Sequence, residues 1–202
     1  MKLYFSPGAC SLASHIVARE AGIPLELDKT DLRAKTTAGG ADFSAINPKG
    51  YVPALALDSG ELLTEGTAIL QFLADQKPEL GLIPAAGSMA RYRLLEWLGY
   101  INSELHKSFS PLFNPATSDA VRAERADYLR RRYQLVEQHL GQHPYLLGEQ
   151  FSVADAYLYT VTNWANYVKL DLSDFPKLQD FQQRIAARPA VQDALRAEHL
   201  IK

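Results

Sequence analysis

The only cysteine of the chain stands where its thiol could do chemistry. Cys10 follows a predicted strand and the Ser6-Pro7-Gly8 turn, and it directly precedes a predicted helix. Backbone N–H groups at the start of a helix stabilise a thiolate, which makes a cysteine there reactive. Ser11 offers a hydroxyl at the same place. The alternatives are structural, because a lone cysteine is often a small buried side chain and a serine at this position often caps the helix.

Two further segments suit a peptide-like ligand with charged ends. Val52-Pro53 opens a predicted strand, and since proline belongs at a strand start or edge, the Val52 backbone is able to pair with an extended peptide. Thr64-Glu65-Gly66-Thr67 opens a predicted helix, where N–H groups bind carboxylates and Glu65 can accept from an ammonium group. The structural alternatives are an ordinary edge proline and a capping turn with an acidic residue. Together the two segments favour a ligand with a free amino-acid end.

Histidines supply the remaining candidate chemistry. His106 lies in the helical segment Glu104-Leu105-His106-Lys107, where it is either a group that handles protons or an ordinary packed histidine. His139 and His143 are four residues apart, a spacing that can bind a metal, but a glycine and a proline break the helix there. We therefore expect no metal site.

The elements that would position these residues differ between the two parts of the chain. Over residues 1–80 the pattern predicts a strand, a helix, a second strand, a two-stranded hairpin and a further helix, which is typical of a small α/β domain. Residues 33–50 carry only a weak pattern, and residues 78–87 are interpreted as a linker because they are rich in proline and glycine. Beyond this linker only helices are predicted, and they start near Ser88, Ser118, Ser152, Pro176 and Pro189.

Local signals refine two of these helices. Pro111 and Pro115 are expected to interrupt the long helix that Ser88 caps. The Ser152-Val153-Ala154-Asp155 segment predicts a capping box, in which the two end residues satisfy each other's backbone N–H groups. This second motif is interpreted as structural.

Composition excludes several classes of function. The chain has 202 residues, and its 21 Lys and Arg against 23 Asp and Glu give a net charge of −2, so we expect no binding to nucleic acid or to a membrane surface. No apolar run is long enough to span a membrane, and no signal peptide is recognised at the start. One cysteine cannot form an internal disulfide, which favours the cytoplasm.

Four segments, taken together, resemble a bacterial beta-class glutathione transferase. They are MKLYFSPGACSLA, NPKGYVPAL, LTEGTAILQFLAD and GEQFSVADAYL, and the resemblance covers essentially the whole chain. It implies a thioredoxin-like N-terminal domain over residues 1–80, with a mixed four-stranded sheet and helices, and an all-helical C-terminal domain over residues 88–202. It also implies a cytoplasmic homodimer with a role in detoxification.

The resemblance carries residue roles with it. Cys10, Ser11 and His106 would be catalytic, and Lys107 and Trp164 would line the pocket for the second substrate. Glutathione would be bound by Cys10, Lys35, Val52, Pro53, Glu65, Gly66, Thr67, Ser103, Glu104, Leu105 and His106. Pro53 would be the cis-proline of the family, and Glu104 would reach the site of the partner subunit.

Within that site, each part of glutathione would have its own partners. Cys10 would face the sulfur and could form a mixed disulfide, while Val52 would pair with the cysteinyl backbone. Glu65 and the N–H of Gly66 would hold the γ-glutamyl end, and Lys35 would reach the glycine carboxylate. Two residues depart from the family pattern: Gly66 stands where relatives commonly have serine, and Gly99 where many have asparagine. We expect both to affect the affinity for glutathione more than the fold.

The activity implied is conjugation of the glutathione thiolate to small hydrophobic electrophiles. Glutathione would be a co-substrate, and no cofactor is expected. Thiol exchange or reductive chemistry through Cys10 is a second enzymatic hypothesis, because a cysteine beside bound glutathione can exchange with it. The alternative is a non-catalytic domain of the same fold that stores ligands or contacts proteins, since fold does not determine function.

Overall fold

The chain divides into two units in a computed structural model that describes residues 1–202. The first unit contains residues 1–83 and 187–202, and the second contains residues 84–186. The first change of unit falls in the stretch interpreted as a linker. The C-terminal residues group with the first unit, whereas the sequence pattern assigned everything from residue 88 onward to the helical domain. The domain limits 1–80 and 88–202 therefore stay a prediction.

A mixed sheet forms the centre of the first unit. Its strands are β1 (Lys2–Phe5), β2 (Glu26–Asp31), β3 (Thr36–Thr37), β4 (Ala54–Ala56) and β5 (Leu62–Thr64). They lie in the order β3-β2-β1-β4-β5, with β1 and β2 parallel and every other pair antiparallel. The expected four-stranded sheet is thus corrected to five strands. The added strand, β3, has only two residues, too few for an alternating pattern to predict it.

The helices are α1 (Ser11–Glu20), α2 (Phe43–Ile46), α3 (Gly66–Asp75), α4 (Met89–Tyr100), α5 (Lys107–Phe113), α6 (Asp119–Leu140), α7 (Val153–Val168), α8 (Pro176–Ala186) and α9 (Pro189–Ala197), with a 3-10 turn at Pro78–Leu80. Seven of the nine helices begin at or next to a predicted start, whereas no start was predicted for α2 or α5. In the first unit, α1 packs against β1, α3 and α9. The contact with α9 explains why the end of the chain groups with this unit.

A continuous helical segment in the second unit differs from its prediction. Between α4 and α5 the residues Ile101–His106 form a π-helix, so the chain stays helical through all three elements. Pro111 lies inside α5 and does not interrupt it, because the buried side chains of Phe109 and Leu112 hold this turn against the core. The segment ends at Phe113, before Pro115. No helix of the chain is both long enough and apolar enough to cross a membrane.

The predicted capping box at the start of α7 is confirmed. The carboxylate of Asp155 is fully buried and accepts from the Ser152 N–H at 2.8 Å and from the Ser152 hydroxyl at 2.7 Å. Its other oxygen accepts from the Leu146 N–H at 2.8 Å. Burial raises the pKa of Asp155 to about 6, although these hydrogen bonds act in the opposite direction. The motif fixes the start of the helix that carries Tyr157 and Trp164.

Candidate functional site

The thiol of Cys10 lies against the backbone that was predicted to pair with an extended peptide. Cys10 is the residue that precedes α1, and its Sγ donates to the carbonyl of Val52 at 3.2 Å. Val52 is buried and is joined to Pro53 by a cis peptide bond. β4 begins at the next residue, Ala54, so Val52 lies just outside the paired part of the sheet. The structure therefore brings the thiol and this backbone segment together.

Ser11 has a different environment from Cys10. Its side chain is fully buried, and its hydroxyl donates to the Ser6 carbonyl at 3.3 Å and accepts from the Ser6 N–H at 3.2 Å. These contacts tie the loop before Cys10 to the first turn of α1. The geometry favours the structural alternative for Ser11 over direct chemistry.

Glu65 occupies a strained position at the start of α3. Its φ of 72° lies in the left-handed region, which is uncommon for a residue other than glycine. Its Oε1 is 2.6 Å from the Lys49 ammonium and 3.4 Å from the Tyr51 hydroxyl. Lys49 also donates to the Thr64 hydroxyl at 2.9 Å, and the bond with Glu65 raises the pKa of Lys49. Lys49 and Tyr51 were not among the predicted site residues, although both lie in the NPKGYVPAL segment.

The backbone after Glu65 leaves room for a larger side chain. Gly66 begins α3, and a Cβ added there would lie 3.8 Å from the Pro53 ring, an ordinary van der Waals distance. Thr67, the next residue, uses its carbonyl to accept from the Gln71 side chain at 3.0 Å. A serine would therefore fit at position 66, so no steric conflict explains the glycine.

Lys35 also contacts the loop that carries Lys49 and Tyr51. Its ammonium donates to the Gly50 carbonyl, and its own φ is 57°. Cys10, Lys35 and Glu65 thus all contact the short segment 49–52, which we call the site loop. These three residues are far apart in the sequence, and the first unit brings them to one place.

A buried carboxylate from the end of the chain supports the loop that carries Cys10. Glu198 is 1% exposed, and its Oε2 accepts from the Gly8 N–H at 2.9 Å. Its Oε1 is 3.0 Å from Nδ1 of His15, whose Nε2 accepts from Arg19 at 3.3 Å. No local pattern marks Glu198, because its partners lie almost the whole length of the chain away.

His106 is the centre of an aromatic cluster in the second unit. Its Nδ1 is 2.6 Å from the Tyr157 hydroxyl, and its ring centroid is 4.8 Å from that of Trp164. Burial, with a contribution from the Lys107 charge, lowers the pKa of His106 to about 4. The imidazole is therefore neutral at physiological pH.

The π-helix places its other predicted site residues in three different environments. The Ser103 hydroxyl donates to the Gly99 carbonyl at 3.0 Å. Glu104 is 2.9 Å from Nε of Arg132 and accepts from the Tyr128 hydroxyl. Leu105 is completely buried in the helical unit, and its place in the glutathione site stays a prediction.

The two residues expected to line the second-substrate pocket differ in exposure. Lys107 begins α5 and is exposed, whereas Trp164 is 7% exposed and packs edge-on against Phe109 and Phe113. Phe113 is half exposed, so one edge of this aromatic cluster faces solvent.

The two histidines considered for metal binding do lie close together. The His139 and His143 rings are 4.9 Å apart, and no group of three or more potential metal ligands forms around them. His139 also stacks edge-on against Trp97 at 4.8 Å.

Comparisons with known proteins agree on one family. Residues 8–76 match the family model described as glutathione S-transferase, N-terminal domain, and residues 100–189 match the model described as glutathione S-transferase, C-terminal domain. The chain is 49% identical to glutathione S-transferase GstA of Escherichia coli O157:H7, over 99% of this chain and 100% of that protein.

Solved structures extend the similarity to three dimensions. A sphingomonad glutathione S-transferase complexed with glutathione is 50% identical and superposes with a TM-score of 0.96 over 100% of both chains. The bacterial beta-class glutathione S-transferase of Sphingomonas chungbukensis is 45% identical, also with a TM-score of 0.96 over 100% of both chains.

Proposed function

Because this chain belongs to the glutathione S-transferase family, we propose that it joins the sulfur of glutathione to small hydrophobic electrophiles. The observation that carries this proposal is the meeting of the Cys10 thiol, the Val52 backbone and the Glu65 carboxylate along the site loop. A thiol, an extended backbone and an acidic helix start are the features that a γ-glutamyl tripeptide needs. The beta-class resemblance of the whole chain supports the same function.

Each part of glutathione has a proposed partner in the first unit. The Glu65 carboxylate accepts from the α-ammonium group, and the N–H groups of Gly66 and Thr67 bind the α-carboxylate at the positive end of α3. The Val52 backbone pairs with the cysteinyl residue in the manner of an added strand, next to Pro53. Lys35 is proposed to bind the glycine carboxylate, which requires its ammonium to exchange the Gly50 carbonyl for the ligand.

The reactive sulfur must be held as a thiolate, and this requires hydrogen-bond donors close to it. Cys10 supplies an S–H, and His106 is proposed to supply an imidazole N–H. Ser11 is proposed to act through the loop that it ties down. Ser103 and Glu104 are proposed to border the glutathione site, with Glu104 acting toward the partner subunit.

The remaining roles concern the second substrate. Lys107 and Trp164 are proposed to bind the electrophile, and the partly exposed edge of the Trp164 aromatic cluster suits a small hydrophobic molecule. Glutathione is the co-substrate, and no cofactor is proposed.

A second activity is favoured by the exposure of Cys10. The residue is partly exposed, and we propose that its sulfur forms a mixed disulfide with glutathione. In that reaction a Cys10 thiolate attacks a sulfur of glutathione disulfide, a new S–S bond forms, and one glutathione thiolate leaves. Thiol exchange of this kind accompanies conjugation in our proposal. The non-catalytic alternative is not favoured.

The test of the glutathione site is a pair of matched variants. Glu65→Ala should weaken glutathione binding by about 1.5–3 kcal/mol, the contribution of a charge-assisted hydrogen bond. Glu61→Ala, which removes an exposed carboxylate four residues earlier, should leave binding unchanged. Isothermal titration of both folded proteins measures the difference. Unchanged binding in Glu65→Ala would remove Glu65 from the site.

The test of the chemistry separates the two activities. Cys10→Ala should retain a measurable share of aryl-halide conjugation, because other donors near the sulfur remain, and should lose the mixed disulfide seen by mass spectrometry. His106→Ala should lower conjugation by about 10-fold or more, as expected for one hydrogen-bonding or proton-transfer group. A Cys10→Ala protein that binds glutathione normally but is dead in conjugation would show that one thiol carries both reactions.

A homodimer in the cytoplasm, with a role in detoxification, completes the proposal. The helical unit exposes large apolar side chains on α4, where Met89 is 69% exposed, Tyr92 is 56% exposed and Leu95 lies one turn further on. Apolar side chains clustered on one helix suit contact with a second copy of the chain. Sedimentation should give the mass of a dimer, and Tyr92→Glu should shift it toward the monomer. A monomeric native protein would contradict this part of the proposal.

A further inference from the structure

One buried hydroxyl, that of Tyr157, lies between His106 and Asn102. Tyr157 is 2% exposed, and its oxygen lies 2.6 Å from Nδ1 of His106 and 3.1 Å from Oδ1 of Asn102. The His106 pKa of about 4 means that the neutral ring carries a single N–H, at either Nδ1 or Nε2. The hydroxyl also has only one proton. It cannot donate to the histidine and to the asparagine at the same time.

Two arrangements of the protons satisfy all three groups. In the first, Tyr157 donates to Oδ1 of Asn102 and accepts from an N–H at Nδ1 of His106. In the second, Tyr157 donates to Nδ1 of His106 and accepts from the Asn102 carboxamide, which leaves the N–H of His106 at Nε2. A half-turn of the Asn102 carboxamide exchanges its oxygen for its NH₂ group, which then donates to the Tyr157 oxygen.

The rest of the surroundings keep the His106 ring in one orientation. The ring packs edge-on between Trp164, at 4.8 Å, and Tyr157, at 5.8 Å between centroids. Asn102 and His106 belong to the same π-helix, four residues apart, so a single element presents both to Tyr157 on α7. π-helical turns of this kind occur frequently at functional sites.

We propose that Tyr157, oriented by Asn102, is a positioning residue that holds His106 in its Nε2–H form. This inference rests on the proposed role of His106 in conjugation. In this form Nε2, the ring nitrogen that does not contact Tyr157, carries the N–H that the proposed role in conjugation requires, and the ring stays neutral. The opposite form leaves only a lone pair at Nε2, which cannot donate a hydrogen bond.

The measurement that tests the proposal is long-range ¹⁵N–¹H NMR of the histidine rings, because the two neutral forms give different cross-peak patterns. His106 is assigned by the signal that disappears in His106→Gln. The native protein should show a protonated Nε2 and a bare Nδ1. A protonated Nδ1 in the native protein would overturn the proposal directly.

Two variants test whether the network sets this form. Asn102→Asp keeps the shape of the side chain but can only accept, so Tyr157 should turn its proton to Asp and His106 should change to the Nδ1–H form. Conjugation should fall by about 3- to 10-fold, the effect of losing one neutral hydrogen bond. Because Asn102 is exposed, this variant should fold normally. An unchanged spectrum in Asn102→Asp would refute the network.

Tyr157→Phe removes the hydroxyl itself and has a matched control on the same helix. Tyr159 is also buried, and a separation of two residues places it on the opposite side of α7. Tyr157→Phe should mix the two His106 forms and lower kcat more than it weakens glutathione binding, whereas Tyr159→Phe should leave the His106 spectrum native. A native spectrum in both variants would refute the positioning role. Unchanged conjugation in His106→Gln would instead contradict the proposed function of His106 and leave the assignment of its proton standing.

Discussion

Replacing Asp155 by asparagine should change how stability depends on pH. The Asp155 side chain is fully buried, and burial raises its pKa to about 6 from the ordinary 3.8. A carboxyl group whose pKa is higher in the folded than in the unfolded state binds its proton more tightly in the folded state. Its contribution to stability is complete below the unfolded-state pKa and is lost as the pH rises through the folded-state pKa. The affected window therefore runs from about pH 4 to pH 6. Asparagine does not titrate there.

The size of the effect follows from the shift. A difference of roughly two pKa units corresponds to about 3 kcal/mol, since each unit is about 1.4 kcal/mol. Between pH 4 and pH 7 the free energy of unfolding of the native protein should thus fall by about 3 kcal/mol relative to that of Asp155→Asn. His106 acts in the opposite direction, because its lowered pKa destabilises the folded state as the pH falls below the ordinary value of 6.5. His106 is present in both proteins, so the difference between their free energies of unfolding reports on Asp155 alone.

Urea unfolding followed by tryptophan fluorescence is the appropriate assay. Trp97 and Trp164 both lie in residues 84–186, the unit that contains Asp155, so the signal reports on that unit. Both proteins are unfolded at constant ionic strength at several pH values from 4 to 7. The Asp155→Asn substitution itself removes an acceptor from the Ser152 N–H. This lowers the free energy of unfolding of the variant by about 1–3 kcal/mol at every pH. If the free energies of unfolding of the two proteins run parallel from pH 4 to pH 7, the reasoning is refuted, because Asp155 would then titrate alike in the folded and unfolded states.

Three further predictions concern residues around Cys10 and Glu65. Lys49→Met should tighten glutathione binding about two- to fivefold by titration calorimetry, because the Lys49 ammonium competes for the Glu65 carboxylate with the strength of a surface ion pair; weaker binding would contradict this competition. Gly66→Ser should tighten binding by about 2- to 10-fold, since its Cβ fits beside the Pro53 ring and its hydroxyl adds one neutral hydrogen bond, and an equal or lower affinity would argue against that contact. Glu198→Gln should lower the free energy of unfolding by about 1–3 kcal/mol, because an amide cannot accept from both Gly8 and His15; an unchanged thermal midpoint would contradict it.

The order of elements and the local motifs were predictable from the sequence. Helix starts at Ser11, Gly66 and Pro189 agree with the structure, because capping residues, prolines and glycines act within one turn of the position they determine. The Ser152 capping box is local for the same reason. β3 and the π-helix were missed, since two paired residues and one altered helical turn leave no periodic pattern.

Only the tertiary structure decided which side chains meet. Lys49 reaches Glu65, the Cys10 thiol reaches the Val52 carbonyl, and Glu198 supports a loop at the opposite end of the chain. His106 and Tyr157 likewise lie on different helices, 51 residues apart. Periodicity reports which face of an element is buried, and capping reports where the element ends. Neither periodicity nor capping predicts how one element packs against another, because that packing depends on the sum of many side-chain contacts between distant segments. The chemistry of this site is therefore a property of the fold, and the sequence determined the elements that the fold brings together.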